Sequence, residues 1–331
     1  MAATKLIDNW GRPVNYLRLA VTDRCNLRCF YCMPAEGIKY LPKQALLTYE
    51  EMERLVDLCC QLGINKVRIT GGEPLVRRDI LPFLGRLSTI QGLEAITMTT
   101  NGLLTLKYLD QLQKIGIRGI NLSLDTLDSK RFESITRRDE FEKVYETLKV
   151  LINTDMEIKV NMVVMEGKNT EDIIPMADLT RDHDISVRYI EEMPFNGDKQ
   201  FKHKLHWNYQ AIKAELDKNF ELQKMDDPAN ATAVHYKIAG AKGSLGIIAA
   251  HSRTFCGTCN RIRLTAQGEL RTCLYAQKGL DLKTMLRSNA SDQELKKAIV
   301  HAVNHRHKDG FAAENERIKA SGWESMSTIG G

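Results

Sequence analysis

Residues 25–32, with the sequence CNLRCFYC, bring Cys25, Cys29 and Cys32 within eight positions of one another. A strand-like run, YLRLAVT at residues 16–22, comes shortly before them. A loop of this length can turn all three thiolates towards one point. Four thiolates would complete a structural metal site, whereas three leave one coordination position free.

The missing fourth ligand bears on the type of metal. Zinc bound by three cysteines needs a further ligand, which is often a histidine. The first histidine of the chain is His183, far from this loop. An iron–sulfur cluster tolerates the gap, because three irons take thiolates and the fourth can bind a small molecule. The pattern therefore favours an iron–sulfur cluster, with a zinc knuckle or a set of buried thiols as the alternative.

The composition is that of an ordinary globular protein. The chain has 331 residues, 43% hydrophobic and 27% charged, with a net charge of +5. This length suits one large domain with an appendage or two domains, and a linker-like loop at residues 226–230 divides the chain into 1–225 and a C-terminal lobe at 226–331. The mild charge fits an anionic small substrate. Without a polybasic block it gives no support to nucleic-acid binding.

The expected cellular location and the cysteine content of the chain agree with each other. No apolar run is long enough to span a membrane, and residues 1–10 lack the apolar region of a signal peptide. We therefore expect a cytoplasmic protein without a membrane partner. In a reducing compartment, eight cysteines indicate metal binding or catalysis rather than disulfides. Cys59 has the helical spacing of a core residue, and Cys60 has no assigned role.

Strands and helices alternate through the first two thirds of the chain. Strands are predicted at residues 16–22, 66–70, 95–100, 119–125, 157–164 and 185–193, with helices between them, such as 48–63, 141–152 and 170–180. Residues 48–51 (TYEE) are a capping-box pattern that predicts the start of the first of these helices. Six strands separated by helices indicate parallel β/α units, and right-handed crossovers would curl these into an open or partial barrel. After residue 225, short strands, a hairpin at 261–273 and a helix starting at Ser291 predict an α+β lobe.

Parallel β/α units gather their active site at the carboxyl ends of the strands. The cysteine loop follows the first strand, and residues 71–73 (GGE) follow the second. Residues 99–101 (TTN) end the third strand, and Ser123 and Asp125 end the fourth. Glycine permits a close approach of backbone to ligand, so the Gly-Gly turn is a candidate binding loop.

A second cysteine group, Cys256, Cys259 and Cys273, again offers three thiolates. It predicts a second cluster whose open iron faces a substrate. The alternative is a zinc site completed by His251 or by a histidine from residues 301–307. Arg261 and Arg263 follow at strand spacing, so both guanidinium groups share one face, and such groups suit phosphates and carboxylates.

Three further cations, Arg18, Arg68 and Lys159, stand on barrel strands among apolar neighbours. A cation inside a barrel is unfavourable unless an anion pairs with it. The ordinary explanation is an ion pair with Glu or Asp inside the barrel. The functional explanation is an anionic substrate.

The cysteine loop resembles that of the radical S-adenosylmethionine (radical SAM) enzymes. That resemblance implies a partial (β/α)6 TIM-like barrel in which Cys25, Cys29 and Cys32 hold a [4Fe–4S] cluster and Tyr31 lies near the adenine of S-adenosylmethionine. In that family the open iron holds S-adenosylmethionine, which one electron splits into methionine and a 5′-deoxyadenosyl radical.

Across nearly the whole chain, the sequence resembles the GTP 3′,8-cyclase family, also called molybdenum cofactor biosynthesis protein A. The matching stretches are residues 25–32, 70–75 (TGGEPL), 99–102 (TTNG), 121–125 (NLSLD), 159–161 (KVN), 192–194 (EMP) and 255–265 (FCGTCNRIRLT). The last of these distinguishes the family from other radical SAM enzymes with auxiliary clusters. The resemblance implies a lyase with two [4Fe–4S] clusters. The adenosyl radical takes the ribose 3′ hydrogen of GTP, and the sugar radical attacks guanine C8.

Site residues follow from this resemblance, position by position. The catalytic residues would be Arg18, Arg261 and Arg263, and the cluster ligands Cys25, Cys29, Cys32, Cys256, Cys259 and Cys273. GTP would contact Arg18, Arg68, Thr99, Lys159, Arg261, Ile262 and Arg263. S-adenosylmethionine would contact Tyr31, Gly72, Ser123 and Met193. The resemblance further implies an electron donor, a downstream cyclic pyranopterin monophosphate synthase, a homodimer, and a Gly330-Gly331 tail that reaches towards the site.

Two other functions are compatible with parts of the sequence. Another radical SAM enzyme with an auxiliary cluster, acting on a peptide or another small substrate, would share the barrel and the first cysteine loop. The single C-terminal cysteine group with its Arg-x-Arg speaks against it. A zinc-stapled RNA-binding protein would leave the barrel strands and the glycine turn unexplained.

Overall fold

The computed structural model describes residues 5–195, 205–316 and 324–330. Its centre is a set of parallel strands that pair in the order of the sequence. They are β1 (Tyr16–Ala20), β2 (Lys66–Thr70), β3 (Ala95–Thr100), β4 (Gly119–Ser123), β5 (Glu157–Val164) and β6 (Ser186–Glu191). The predicted α/β fold with a partial (β/α)6 barrel is confirmed.

Helices fill each crossover between these strands. They are α1 (Tyr49–Gln61), α2 (Ile80–Leu87), α3 (Thr105–Ile115), α4 (Ser129–Thr136), α5 (Phe141–Leu151) and α6 (Ile173–Asp182). The predicted capping box at α1 is present, since the Thr48 hydroxyl accepts from the Glu51 N–H and the Glu51 carboxylate accepts from the Thr48 N–H. The helix predicted from residue 170 begins as a 3-10 turn, and α6 starts at Ile173.

The segment after residue 205 adds helices and strands to both edges of the same sheet. They are α7 (Tyr209–Asn219), β7 (Leu222–Lys224), β8 (Ala233–Ile238), β9 (Ser244–Ile248), β10 (Arg261–Leu264), β11 (Glu269–Arg271), β12 (Leu280–Asp281), α8 (Leu282–Arg287), α9 (Asp292–Asn304), α10 (Gly310–Asn315) and α11 (Met326–Ile329). The domain boundary at residue 225 stays a prediction.

Two of these later strands pair in parallel with barrel strands. β9 pairs with β6 and β10 pairs with β1, so the described residues form one twelve-stranded sheet in the order β12-β11-β10-β1-β2-β3-β4-β5-β6-β9-β8-β7. The predicted hairpin is the antiparallel β10–β11 pair. Pairing with β1 carries the segment just after Cys259 to the strand that precedes the first cysteine loop.

The core lies between the sheet and its covering helices. The apolar face of α1 is buried there, and Cys59 is 1% exposed, as its helical spacing predicts. Cys60 is also buried, at 5% exposure. Within the described ranges, no helix is both long and apolar enough to cross a membrane.

A single buried carboxylate ties the end of β6 to two other segments. Glu191 is fully buried and accepts hydrogen bonds from the Tyr209 N–H (2.8 Å), the His251 N–H (2.9 Å) and the Ser252 N–H (2.7 Å). The Ser252 hydroxyl donates a further bond at 2.8 Å. Glu191 thereby fixes the start of α7 and the segment that leads to Cys256.

We expect Glu191→Ala to lower the free energy of unfolding by roughly 3 kcal/mol, because it leaves several partly buried N–H donors without their acceptor. Equilibrium urea denaturation followed by circular dichroism measures the change. The matched control is Glu215→Ala on α7, where Glu215 makes a surface ion pair with Lys218. It should shift stability by less than about 0.5 kcal/mol. Equal shifts in the two variants would contradict the role of Glu191.

Candidate active site

The interior of the barrel is a cavity of about 840 Å³, and both cysteine groups line it. The residues predicted for GTP that line it are Arg18, Arg68, Thr99, Lys159, Arg261 and Arg263, and those predicted for S-adenosylmethionine are Tyr31, Gly72, Ser123 and Met193. Ile262 is the exception, because its side chain points to the other face of β10 and is fully buried in the core.

The first cysteine loop is anchored on the end of α4. The Arg28 N–H donates to the Thr136 carbonyl (2.9 Å) and the Phe30 N–H to the Ile135 carbonyl (3.0 Å). The next residue, Tyr31, donates its hydroxyl to Asp125 at 2.8 Å, which fixes its ring at the cavity wall. The loop is therefore held by main-chain bonds that do not involve the cysteine side chains.

The three thiols of this loop are weak acids in the absence of a cation. Burial raises the pKa of Cys25 to about 11 and that of Cys32 to about 12. Burial also raises the pKa of Cys29 well above its usual value. Ligation of iron requires thiolates, so metal binding at this loop would release protons.

The Gly-Gly turn after β2 packs backbone to backbone against the approach to the cysteine loop. The Gly72 N–H donates to the Thr22 carbonyl (2.9 Å) and the Glu73 N–H to the Arg24 carbonyl (2.8 Å). A Cβ atom on Gly72 would lie 2.3 Å from the Arg24 carbonyl oxygen. The sequence predicted a close approach of this turn to a ligand, and the structure adds a close approach to the cysteine loop itself.

Glu73 connects that turn to the end of β3. Its carboxylate is fully buried and accepts from the Thr100 hydroxyl (2.9 Å) and the Asn101 N–H (2.7 Å). Burial raises the pKa of Glu73 to about 7. The Asn101 amide in turn donates to the Asn26 side chain (2.7 Å) and lies 3.8 Å from the Cys25 sulfur. The turn, the strand end and the cysteine loop thus form one hydrogen-bonded unit.

Cations face one another across the first strands of the barrel. Arg263, Arg18 and Arg68 are direct neighbours on β10, β1 and β2. Burial and the adjacent Arg263 hold the pKa of Arg18 well below its ordinary value. Burial, together with nearby Arg261, lowers the pKa of Arg263 to about 10. Like charges at this spacing disfavour one another, so the row favours the binding of an anion.

The ordinary explanation of an internal ion pair holds for one of the three predicted cations. Lys159 pairs with Glu157, and burial still lowers the pKa of Lys159 to about 8. Arg18 and Arg68 have no carboxylate partner among the residues that the structure describes, and the Arg18 Nε–H is buried without an acceptor there.

Sequence reasoning missed Arg188, which lines the cavity from β6. Burial and nearby Arg68 lower the pKa of Arg188 to about 10, and its Nε–H lacks an acceptor in the described part of the chain. Arg188 alternates with buried Val187 and Tyr189 on its strand. The pattern that singled out Arg18 could therefore have found Arg188 as well. The buried hydroxyl of Tyr16, also unpaired within the described residues, was likewise missed.

The second cysteine group lies at the same cavity, just before β10 and just after β11. Burial raises the pKa of Cys256 and of Cys273. Cys259 differs: burial acts to raise its pKa, but the guanidinium groups of Arg261 and Arg306 lower it to about 7. One thiol of this group is thus partly ionised at neutral pH even before metal binds.

Each cysteine group fits an iron–sulfur cluster better than zinc. Over the described ranges, no three Cys, His, Asp or Glu side chains are arranged to hold one metal ion. Three thiols with an open fourth position at a large cavity suit a [4Fe–4S] cluster, in which each thiolate binds a different iron.

The C-terminal segment closes one side of the cavity. The Gly330 carbonyl accepts a hydrogen bond from the Arg263 guanidinium at 2.5 Å, and the Ser325 hydroxyl donates to the Cys32 carbonyl at 2.7 Å. Gly330 has φ +78°, and a Cβ there would lie 2.8 Å from the Thr70 hydroxyl. Residue 331 of the predicted tail lies outside the described residues, and the role of the tail stays a prediction.

Two family models match consecutive parts of the chain. Residues 19–180 match the radical SAM superfamily, and residues 185–311 match the Molybdenum Cofactor Synthesis C family. Crystal structures of Streptococcus suis SuiB share the fold, with a TM-score of 0.61 at 15% identity for one that covers 97% of this chain and 79% of that one.

Curated relatives match over nearly the full length. The chain is 40% identical to a GTP 3′,8-cyclase of Syntrophomonas wolfei, covering 94% of this chain and 98% of the relative. It is 42% identical to a GTP 3′,8-cyclase of Heliobacterium modesticaldum, covering 90% and 92%. It is also 43% identical to human molybdenum cofactor biosynthesis protein 1, covering 91% of this chain and 48% of that longer protein.

We expect Gly72→Ala to displace the first cysteine loop, because the new methyl group cannot fit beside the Arg24 carbonyl. The variant should lose the iron bound at the first group and keep that bound at the second. Iron and sulfide analysis with electron paramagnetic resonance (EPR) measures this. The control is Gly85→Ala on α2, where a Cβ meets nothing within 4 Å. A full iron content in Gly72→Ala would contradict the prediction.

Proposed function

This chain belongs to the GTP 3′,8-cyclase family, and from that premise we propose how its residues carry out the reaction. It is a radical SAM enzyme that converts GTP to (8S)-3′,8-cyclo-7,8-dihydroguanosine 5′-triphosphate in molybdenum cofactor biosynthesis. The observation that supports this assignment most directly is a row of unneutralised arginines between two three-cysteine groups in one cavity.

S-adenosylmethionine and [4Fe–4S] clusters are the cofactors of this enzyme. In the proposal, Cys25, Cys29 and Cys32 hold the first cluster, and Cys256, Cys259 and Cys273 hold the second. When bound, the first cluster and S-adenosylmethionine supply the radical that removes the ribose 3′ hydrogen. The remaining tasks, which are binding, orientation and exclusion of water, fall to the side chains and backbone of the chain.

S-adenosylmethionine is proposed to bind beside the first cysteine loop, in contact with Tyr31, Gly72, Ser123 and Met193. The Tyr31 ring is a rigid wall, because its hydroxyl is bonded to the buried Asp125. The turn at Gly72 brings main-chain groups next to the cysteine loop without a side chain in the way. These features support a binding position next to the open iron.

The triphosphate of GTP is proposed to fill the cation-lined part of the cavity. Arg18, Arg68 and Arg263 are neighbours on adjacent strands, and Lys159 and Arg188 line the same cavity. A polyphosphate replaces mutual repulsion by charge-assisted hydrogen bonds, for which guanidinium groups are suited. The cationic side chains and the phosphates thereby neutralise each other in a site of low dielectric.

The ribose and purine are proposed to span the distance between the two cysteine groups, with the purine edge at the second. The hydroxyl of Thr99 and the amide oxygen of Asn161 are buried without a partner among the described residues, and both can bond sugar hydroxyls. Arg261 packs over the Phe255 ring beside Cys256 and has a free Nη2 donor within the described structure. It would orient the substrate near the second cluster.

The proposal also covers the electron donor, the next enzyme of the pathway, the cellular location and the oligomeric state. An electron donor supplies the reducing equivalents, and a cyclic pyranopterin monophosphate synthase takes the product. The enzyme acts in the cytoplasm as a homodimer. The eight cysteines without a disulfide in the described structure are compatible with a reducing compartment.

The function is tested with anaerobically reconstituted enzyme, a reductant, S-adenosylmethionine and GTP deuterated at C3′. We expect deuterium in 5′-deoxyadenosine and a new guanosine triphosphate isomer separated by chromatography. Cys256→Ala should lose the product, because the second cluster can no longer form. Cleavage of S-adenosylmethionine that is independent of GTP and takes no deuterium would overturn the substrate assignment.

GTP affinity should depend on the charge of Lys159, whose pKa in the free site is about 8. A bound anion raises that pKa, so affinity is full below pH 8 and falls as the pH rises from there to the pKa of the complex. Calorimetric Kd values between pH 7 and 9.5 measure the fall. Lys159→Arg keeps its charge over this range and should lose the dependence. The same slope in both proteins would contradict the prediction.

A further inference from the structure

The N-terminal segment forms a hairpin for which the sequence pattern predicts no function. Ile7 and Pro13 pair in antiparallel fashion, and the Val14 N–H donates to the Leu6 carbonyl at 2.8 Å. Asp8 begins the turn. One of its oxygens, Oδ1, accepts from the N–H groups of Trp10 and Arg12, both at 2.9 Å. The second oxygen, Oδ2, is left for other partners.

That second oxygen binds two buried guanidinium groups. Asp8 Oδ2 accepts from Arg12 Nε at 2.7 Å and from Arg306 Nη1 at 3.1 Å. The side chains of Asp8, Arg12 and Arg306 are 0%, 6% and 3% exposed. Three charges this deeply buried are unfavourable unless every donor is paired, so the remaining contacts of the two arginines matter.

The rest of the Arg12 guanidinium holds the main chain on either side of the second cysteine group. Arg12 Nη1 donates to the Cys256 carbonyl (2.9 Å) and to the Lys308 carbonyl (2.6 Å). Arg12 Nη2 donates to the His307 carbonyl at 2.9 Å. The position of Cys256 is therefore linked to the N-terminal hairpin and to the segment after α9.

Arg306 contacts the other two cysteine positions. Its Nη2 lies 3.5 Å from the Cys259 sulfur and donates to the Arg261 carbonyl at 3.2 Å. Its Nη1 donates to the Cys259 carbonyl (3.1 Å), and its Nε to the carbonyl of Thr272 (3.2 Å), which precedes Cys273. Together the two arginines bond a sulfur or a carbonyl at, or next to, each of the three cysteines.

We propose that Asp8, Arg12 and Arg306 are positioning residues for the second cluster, and that the Arg306 N–H···S bond to Cys259 raises the reduction potential of that cluster. Asp8 orients both guanidinium groups, which hold Cys256, Cys259 and Cys273 at the cavity wall. The inference rests on the proposed second [4Fe–4S] cluster. It does not depend on the identity of the substrate.

The direction of the effect follows from charge. Reduction adds one electron to the cluster and its thiolates, and a hydrogen bond or a cation at a ligand sulfur stabilises the reduced form. Removal of the Arg306 guanidinium should therefore lower the midpoint potential. Removal of Asp8 tests orientation separately. By charge alone, the loss of a nearby anion would raise the potential, whereas the loss of an orienting group for Arg306 would lower it.

The experiment uses the full chain with Cys25, Cys29 and Cys32 replaced by Ala, so that the second cluster gives the only EPR signal. Redox titration without substrate compares Arg306→Gln, Arg306→Lys and Asp8→Ala. The control is Arg54→Gln, since Arg54 also pairs with an aspartate (Asp292) and a carbonyl, but on the outer surface of α1. Iron and sulfide content are measured on every sample.

We expect a lower midpoint potential in Arg306→Gln and in Asp8→Ala, a smaller decrease in Arg306→Lys, which keeps the charge, and no change in the control. Unchanged potential and iron content in Arg306→Gln would overturn the proposal, and a raised potential in Asp8→Ala would overturn the orienting role.

The same substitutions are also made with all cysteines present. Loss of the second cluster alone supports positioning, whereas loss of both clusters in Arg306→Gln and Arg306→Lys would overturn it.

These outcomes are separate from those of the proposed function. The titration contains no GTP, so its result stands whether or not the enzyme cyclises GTP. Failure of the unaltered enzyme to turn over GTP would overturn the substrate assignment, but the measured reduction potentials would remain valid.

Discussion

The parallel pairing of β10 with β1 is the constraint on which the site depends. It sets Arg263 directly beside Arg18, and β2 adds Arg68 on the other side. Because β10 runs parallel to β1, Cys259 lies near the amino end of β1 and the first cysteine loop follows its carboxyl end, so the two cysteine groups line one cavity from opposite ends. A barrel made only of the six strands predicted from the sequence would contain the first cysteine group alone. It would have no substrate site between two cysteine groups.

This arrangement is unfavourable in the absence of ligand. The pKa of Arg18 lies well below its ordinary value because of burial and Arg263, and burial lowers that of Lys159 to about 8. The sheet keeps these cations close together, because backbone hydrogen bonds fix the spacing of the strands that carry them. An anionic ligand removes the repulsion, so part of its binding energy is already stored in the fold. Glu157 relieves part of this repulsion through its ion pair with Lys159, from an exposed position.

Local signals in the sequence were sufficient for the strands, the capping box at Thr48 and the Gly-Gly turn, because each depends on residues close in the chain. Strand order was not predictable, because the pairing of β10 with β1 and of β9 with β6 depends on contacts between distant segments. Arg188 carried the same local pattern as Arg18 and was overlooked. Arg306 carried none, since its partners belong to three separate segments.

The two cysteine groups also differ in how their loops are held. The first loop is fixed mainly by main-chain bonds to α4 and by the glycine turn, within the first half of the chain, and Ser325 adds one bond to the Cys32 carbonyl. The second depends on Asp8 and Arg306, which are 298 residues apart. Contacts of such separation form only when most of the chain is in place, because loop closure must precede them. We therefore expect the second cysteine group to be ordered late in folding.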